Sequence, residues 1–230
     1  MSVRRGIGLF GWPFERTEPQ ALWEYTEESE QLGIDSIWLT DRIVSPEFSM
    51  DPLVALSFIA ARTTKLKFGT SVLALPLRNP TVLAKEIATL DLYSEGRFIF
   101  GNGAGWLKEE TEIMGGDFPH RWTQTKDAIL AMKELWTKDE AEYHGTYYDF
   151  PPVRSFPKPV QKPHPPVFLG GKALNAFKRV VEWGDGWMPN HCSVDEIRQG
   201  RETLNRLAEE AGRDPSTIQV LSLIHISEPT

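Results

Sequence analysis

LKFGTSVLALPLRNPTVLAKEIATLDLYSEGRFIFGNGAGW, residues 66–106, contains a full strand–helix–strand unit. The first ten residues are too uniformly apolar for a sheet wet on one face and read as a strand buried on both sides. Asn79 and Pro80 then start a helix whose Leu83, Ile87 and Leu90 recur along one side. RFIFG (97–101) is the next strand, and a helical crossover between two buried strands makes them parallel. Three glycines follow at every second position, Gly101, Gly103 and Gly105, with Trp106 behind them. A dinucleotide fingerprint needs G-x-G-x-x-G, and Trp106 holds the slot of its third glycine. The loop is therefore either a tight strand-to-helix turn or a backbone wall that lets a flat or phosphorylated ligand approach closely.

The same rhythm extends in both directions. Upstream lie a strand at 3–9, a helix at 19–33 with Leu22, Tyr25, Ser29 and Leu32 on one face and Gly33 as its stop, and a strand at 35–40. A helix at 51–62 follows, with Asp51 as N-cap and Pro52 in its first turn. Downstream, Trp122–Lys138 is amphipathic, with Ile129, Met132, Leu135 and Trp136 inward. Residues 139–166 interrupt the pattern: Tyr143, Tyr147, Tyr148 and Phe150 around Gly145 predict a hairpin, followed by proline-rich coil. PVFLGG (166–171) resumes as a strand, then a helix at 172–183 stopped by Gly184 and a short strand at Gly186–Met188. A helix opens at the Ser193-x-x-Glu196 capping box and closes at Gly212, and IQVLSLI (218–224) is the last strand.

About seven strand–helix alternations fit an open doubly wound sheet or a (β/α)₈ barrel of the TIM type. Glycines and polar residues recur just past the strand ends (Asp41-Arg42, Ser71, Gly101–Gly105, Gly170-Gly171), which favours the barrel, where those ends share one mouth. A full barrel runs to about 250 residues, so the expectation is a barrel stopping at strand seven, with strand eight missing. Residues 1–220 would form that domain, with an insertion at about 139–166, and LSLIHISEPT (221–230) an atypical, foreign or cut tail.

A formal net charge of −7, without a dense Lys/Arg cluster, argues against nucleic acid or an anionic membrane as partner. No stretch of about 18 apolar residues spans a bilayer. One cysteine, Cys192, excludes an internal disulfide and fits a reducing cytoplasm. The five histidines show no zinc-type pairing, so no metal site is expected.

Among candidate site residues, Gly170-Gly171 before a helix N-terminus suits a phosphate. Asp41 and Arg42 end a strand together, either to hydrogen-bond a heteroaromatic edge or to pair with neighbouring charges. Glu109 and Glu110 suit a helix N-terminus. Trp12, Trp38, Trp106 and Trp187 are core residues for the most part, with some available to line a cavity for a flat cofactor. No Ser-His-Asp or Cys-His set stands out, so the difficult chemistry falls to a bound cofactor. A glycoside hydrolase would have only Asp41 and Glu110 to offer as its paired carboxylates.

SIWLTDRIVSP, the 68–110 stretch, the F-P-x-R of Phe118–Arg121, PKPVQKPHPPVFLGG and WGDGWMP together resemble the luciferase-like monooxygenase family, and within it the F420-dependent oxidoreductases. The resemblance implies a bacterial-luciferase-like TIM-type barrel that binds coenzyme F420, or alternatively FMN, at the strand C-termini. It implies a non-prolyl cis peptide at Ser71–Val72, forming a bulge behind the cofactor ring. Asp41 would reach the ring's polar edge, Asn102, Gly103, Gly105 and Trp106 would line its pocket, and Gly170 and Gly171 would hold the tail phosphate. It also implies a homodimer acting on a small-molecule substrate. Many relatives carry Asp-His where this chain has Asp41-Arg42, and the sugar-phosphate dehydrogenases place a glutamate at Trp106, so their reaction does not carry over. The implied activity is hydride transfer between a small organic substrate and the deazaflavin C5. An FMN-dependent monooxygenase and a non-catalytic, degenerate cofactor-binding barrel are the alternatives.

Overall fold

The computed structural model describes residues 5–9, 13–14, 18–190 and 192–221, in two compact units, up to Pro165 and from Pro166 onward. Trp12, His191, His225, the start of the first expected strand and residues 222–230 of the expected tail lie outside the described residues.

In the first unit, β1 (Gly6–Leu9), β2 (Ser36–Leu39), β3 (Lys67–Thr70), β4 (Leu73–Ala74) and β5 (Phe98–Gly103) are all parallel. Pairing runs β1–β2–β3–β5, and β4 also pairs with β5. The crossovers carry α1 (Pro19–Gln31), α2 (Pro52–Arg62) and α3 (Pro80–Tyr93), and α4 (Lys108–Ile113) and α5 (Arg121–Thr137) follow β5. Proline opens α2 and α3 where a missing N–H costs no helical bond, and Asp51 and Asn79 each accept from two first-turn N–H groups. Ile129, Met132, Leu135 and Trp136 of α5 are buried as their spacing required. Leu32 is an exception: it caps the end of α1 and stays exposed, while Thr26 takes the buried position.

Aromatic packing joins the sheet to its helices. Phe68 and Phe98 face each other in register across β3 and β5. Phe100, two residues on and so on the same face, meets Trp136 edge-on at 6.3 Å. The Trp136 indole N–H donates to the Ala84 carbonyl of α3 at 2.9 Å, so the ring is buried without an orphaned donor. The expected hairpin is β6 (Ala141–His144) with β7 (Asp149–Val153), antiparallel. Its turn is held by the Asp127 carboxylate of α5, which accepts from the Tyr143 hydroxyl and the Tyr147 and Tyr148 N–H groups. The coil beyond is pinned where buried Asp91 accepts from the Gln161 backbone and side chain.

In the second unit β8 (Val167–Gly170), β9 (Gly186–Met188) and β10 (Gln219–Val220) are parallel, with α6 (Leu174–Trp183) and α7 (Val194–Glu210) between them. The Ser193/Glu196 capping box is formed on both sides. Trp187 is fully buried: its N–H donates to the Gly171 carbonyl at 2.6 Å, and its ring tip lies against Gly200, where an added Cβ would collide. Arg213 caps α6 by donating to the Val180, Val181 and Gly184 carbonyls. Among the described residues no helix is long and apolar enough to cross a membrane.

Strands β2 and β3 approach closely because Trp38 lies opposite Gly69. A Cβ at Gly69 would meet the Ile99 carbonyl and come within 2.6 Å of the Trp38 ring, and neither backbone nor buried indole can retreat cheaply. Gly69→Ala is expected to lower the unfolding free energy by about 1–3 kcal/mol, read from urea denaturation. A loss below about 0.5 kcal/mol, the range of a neutral surface change, would contradict this packing.

Candidate functional site

The apolar run at 66–75 is not one strand. It breaks after Thr70, where Thr70 Oγ1 donates to the Gly101 carbonyl at 2.6 Å and the Ser71 N–H donates to the Leu39 carbonyl. The Ser71–Val72 peptide is cis, and the chain then pairs with β5 again as β4, with Leu73 opposite Asn102 and Ala74 opposite Gly103. Val72 is half-buried and its Cγ2 lies against Gly103, where an added Cβ would approach to 2.8 Å. Glycine at 103 is thus what seats the Val72 side chain on the β5 backbone.

The polar residue after β2 fixes this break. The Asp41 side chain is 1% exposed; one oxygen accepts from the Ala74 N–H at 3.1 Å and the other from Arg78 Nη2 at 2.8 Å. Arg78 also donates to Asp51, the N-cap of α2, at 2.9 Å. Burial pushes the Asp41 carboxyl above the ordinary aspartate value, against the pull of Arg78 and the Ala74 N–H. Burial would lower Arg78, but its two carboxylate partners outweigh that and hold it above its usual value.

Three residues give the glycine loop its form. At Gly105 φ is +74, a left-handed conformation that favours glycine, and Arg121 donates to its carbonyl at 3.1 Å and to that of Phe118 at 2.9 Å. Trp106 turns outward, 70% exposed, with the Arg42 guanidinium 4.7 Å over its ring. Glu110 of α4 is buried and accepts from the Ile43 and Val44 N–H groups at 2.8 and 2.9 Å, joining the loop after β2 to the segment after β5. Beyond its first-turn position, Glu110 is a clamp, and no spacing rule reaches a contact 66 residues distant.

The first unit therefore gathers Asp41, Arg42, Ser71, Val72, Asn102, Gly103, Gly105 and Trp106 around the C-terminal ends of β2, β3 and β5. Gly170 and Gly171 stand at the end of β8 in the second unit, with Gly171 at φ +113 and its carbonyl taken by Trp187. The sequence alone did not single out Arg78, Glu110 as a clamp, or the role of Arg121. The phrase RNP reads as a helix start and hides the cation in it.

Replacing Arg78 by Met leaves a buried carboxylate without its counter-ion, at a cost of about 3–5 kcal/mol at neutral pH and above. Asp41 then titrates still higher in the folded chain than in the unfolded one. The deficit is present above the folded value and shrinks as pH falls through it, because the folded form takes up the proton first. Urea denaturation at about pH 8 and pH 5 reads this difference, and adding Asp41→Asn is expected to return part of the loss. An Arg78→Met deficit equal at both pH values would show that Asp41 does not depend on this cation.

The sequence profile of the luciferase-like monooxygenase family matches residues 8–227. An uncharacterized protein of Mycobacterium tuberculosis is 39% identical over 168 residues, covering 72% of this chain and 58% of that protein. The F420-dependent glucose-6-phosphate dehydrogenase of Amycolatopsis mediterranei is 32% identical over 216 residues, covering 86% of this chain and 64% of that enzyme. The chain thus spans about three-fifths of the length of these curated relatives. Among solved structures, monooxygenase RslO1 from Streptomyces bottropensis superposes with a TM-score of 0.83 at 23% identity, over 95% of this chain and 70% of that one. The coenzyme F420 dependent tetrahydromethanopterin reductase of Methanopyrus kandleri gives 0.82 at 23%, over 96% and 65%. Both share the luciferase-like TIM-barrel fold, the class that the strand–helix rhythm pointed to. On the profile match over almost its whole length, the chain belongs to the luciferase-like monooxygenase family.

Proposed function

We propose that this protein is an F420-dependent oxidoreductase that transfers a hydride between a small organic substrate and the deazaflavin C5. The observation that carries the reading is the seat at β4 and β5, where half-buried Val72 is fixed against Gly103 by the Asp41–Ala74 bond. It offers a rigid apolar surface beside glycine backbone, suited to a flat ring, and the resemblance to the F420-dependent dehydrogenase of Amycolatopsis supports the choice of ring. A bound deazaflavin supplies a two-electron hydride carrier that no side chain provides. Val72 would support its face and Gly105 its edge, with Asn102 and Gly103 buried as the wall behind them. Asp41, held by Arg78, would keep that wall in register. In the second unit the N–H groups after Gly170 and Gly171, ahead of α6, suit a phosphate. Arg42 offers a guanidinium fork of N–H donors, which suits binding an anion.

A second copy of the chain completes the proposal. Val54 and Phe58 of α2 and Val82 and Tyr93 of α3 are exposed apolar residues, and a groove of about 740 Å³ runs between the two helices past Arg78 and Asp51. A homodimer through this face would cover them. A net charge of −7 and a single cysteine fit a cytoplasmic setting with neither nucleic acid nor a membrane as partner.

Titration with F420 and with FMN, followed by absorbance and fluorescence, is expected to show stoichiometric F420 binding. Gly103→Val should weaken it about tenfold or more, since the added side chain displaces Val72. Preferential binding of FMN would favour a flavin monooxygenase, and binding of neither would favour a non-catalytic barrel. Sedimentation is expected to show a dimer that Phe58→Glu with Tyr93→Glu converts to a monomer; a wild-type monomer would overturn the dimer.

A further inference from the structure

Arg42 is a cation without an acid at the mouth of the site. Its neighbour Asp41 faces inward to Arg78 and Ala74, and the Glu110 carboxylate is bound to the Ile43 and Val44 N–H groups. Among the described residues no carboxylate pairs with Arg42 and no carbonyl accepts from it; its one partner is the Trp106 ring at 4.7 Å. A guanidinium over an indole face is held by the ring's quadrupole and keeps its N–H donors available for another partner. That fork matches the two oxygens of a carboxylate or phosphate.

The supports of this pair are rigid on both sides. Glu110 ties the loop carrying Arg42 to α4, and Arg121 holds the Gly105 carbonyl immediately before Trp106. Exposed Ile43 and Val44 stand next to Arg42, so the cation sits beside an apolar surface. The Trp106 indole is 70% exposed, and the guanidinium lies over its ring.

We propose that Arg42, seated on Trp106, is the specificity-determining residue of this site, and that the substrate is a small organic molecule bearing a carboxylate or phosphate group. The inference rests on the proposed oxidoreductase reading only in treating this mouth as the substrate's entrance. The anion site itself is tested without the cofactor.

The experiment follows the Trp106 indole N–H resonance of the full chain, assigned with Trp106→Phe, while benzoate, inorganic phosphate or neutral benzyl alcohol is added. Saturable shifts with benzoate or phosphate and none with benzyl alcohol are expected, and the stronger of the two anions identifies the group. Arg42→Met should weaken that binding about tenfold or more, and Arg42→Lys should recover part of it. Failure of both anions to shift the resonance, or equal binding by Arg42→Met, overturns the proposal. F420 affinity is measured in parallel on wild type and Arg42→Met. F420 binding without anion binding removes this inference and leaves the oxidoreductase reading; anion binding without F420 binding does the reverse. A tenfold loss of F420 affinity in Arg42→Met would assign the cation to the cofactor's own anionic tail and overturn the substrate assignment.

Discussion

A carboxylate taken out of water must find partners for its oxygens, and Asp41 meets that demand at two points of the chain. One oxygen takes the Ala74 N–H at the start of the re-paired strand, and the other takes Arg78, just ahead of α3, which in turn reaches the cap of α2. The two strand-to-helix connections ahead of α2 and α3 are therefore referred to one buried charge. The seat of Val72 on Gly103, the register of β4 on β5 and the direction of the loop holding Arg42 all follow from that arrangement. Buried ion pairs add little net stability, yet removing one partner is costly, so such a pair acts chiefly to fix geometry.

Much of the fold was legible because its signals are local. Proline at the first turns of α2 and α3, the capping box at Ser193 and the i, i+3, i+4 pattern of α5 each depend on neighbours within a few residues, and each element formed where those signals put it. Where the reading went astray, the decisive contact is distant or ends the periodicity. Leu32 kept the helical spacing of α1 but fell on its cap, outside the buried face. The run 66–75 looks continuous in hydropathy because both halves are buried; the break shows only in the family resemblance, which implied a bulge at Ser71–Val72, and in the bond from Thr70 to Gly101, 31 residues on.

The site shows the same division. Glycines and aspartate at strand ends are visible as residue types, and the structure gathers those of the first unit together. What each one touches is not visible. Asp41 reads either as a group for a heteroaromatic edge or as one that pairs with neighbouring charges, and its carboxylate is engaged within the fold by Arg78 and the Ala74 N–H. Glu110 reads as a dipole-favoured residue, whereas it clamps two loops. Arg42 and Trp106 read as two separate departures from the relatives' acid/base pattern, and the structure stacks them as one pair.

The central claim is that the break after β3 and the glycine end of β5 form the seat of a deazaflavin ring. Amide hydrogen exchange with and without saturating F420 tests it most directly, because it reports where along the chain the cofactor is felt. The account predicts slowed exchange at Ser71–Ala74 and at Asn102–Trp106, with a second protected patch after Gly170. Unchanged exchange at both strand ends under saturating F420, or protection confined to the outer faces of α2 and α3, would contradict it.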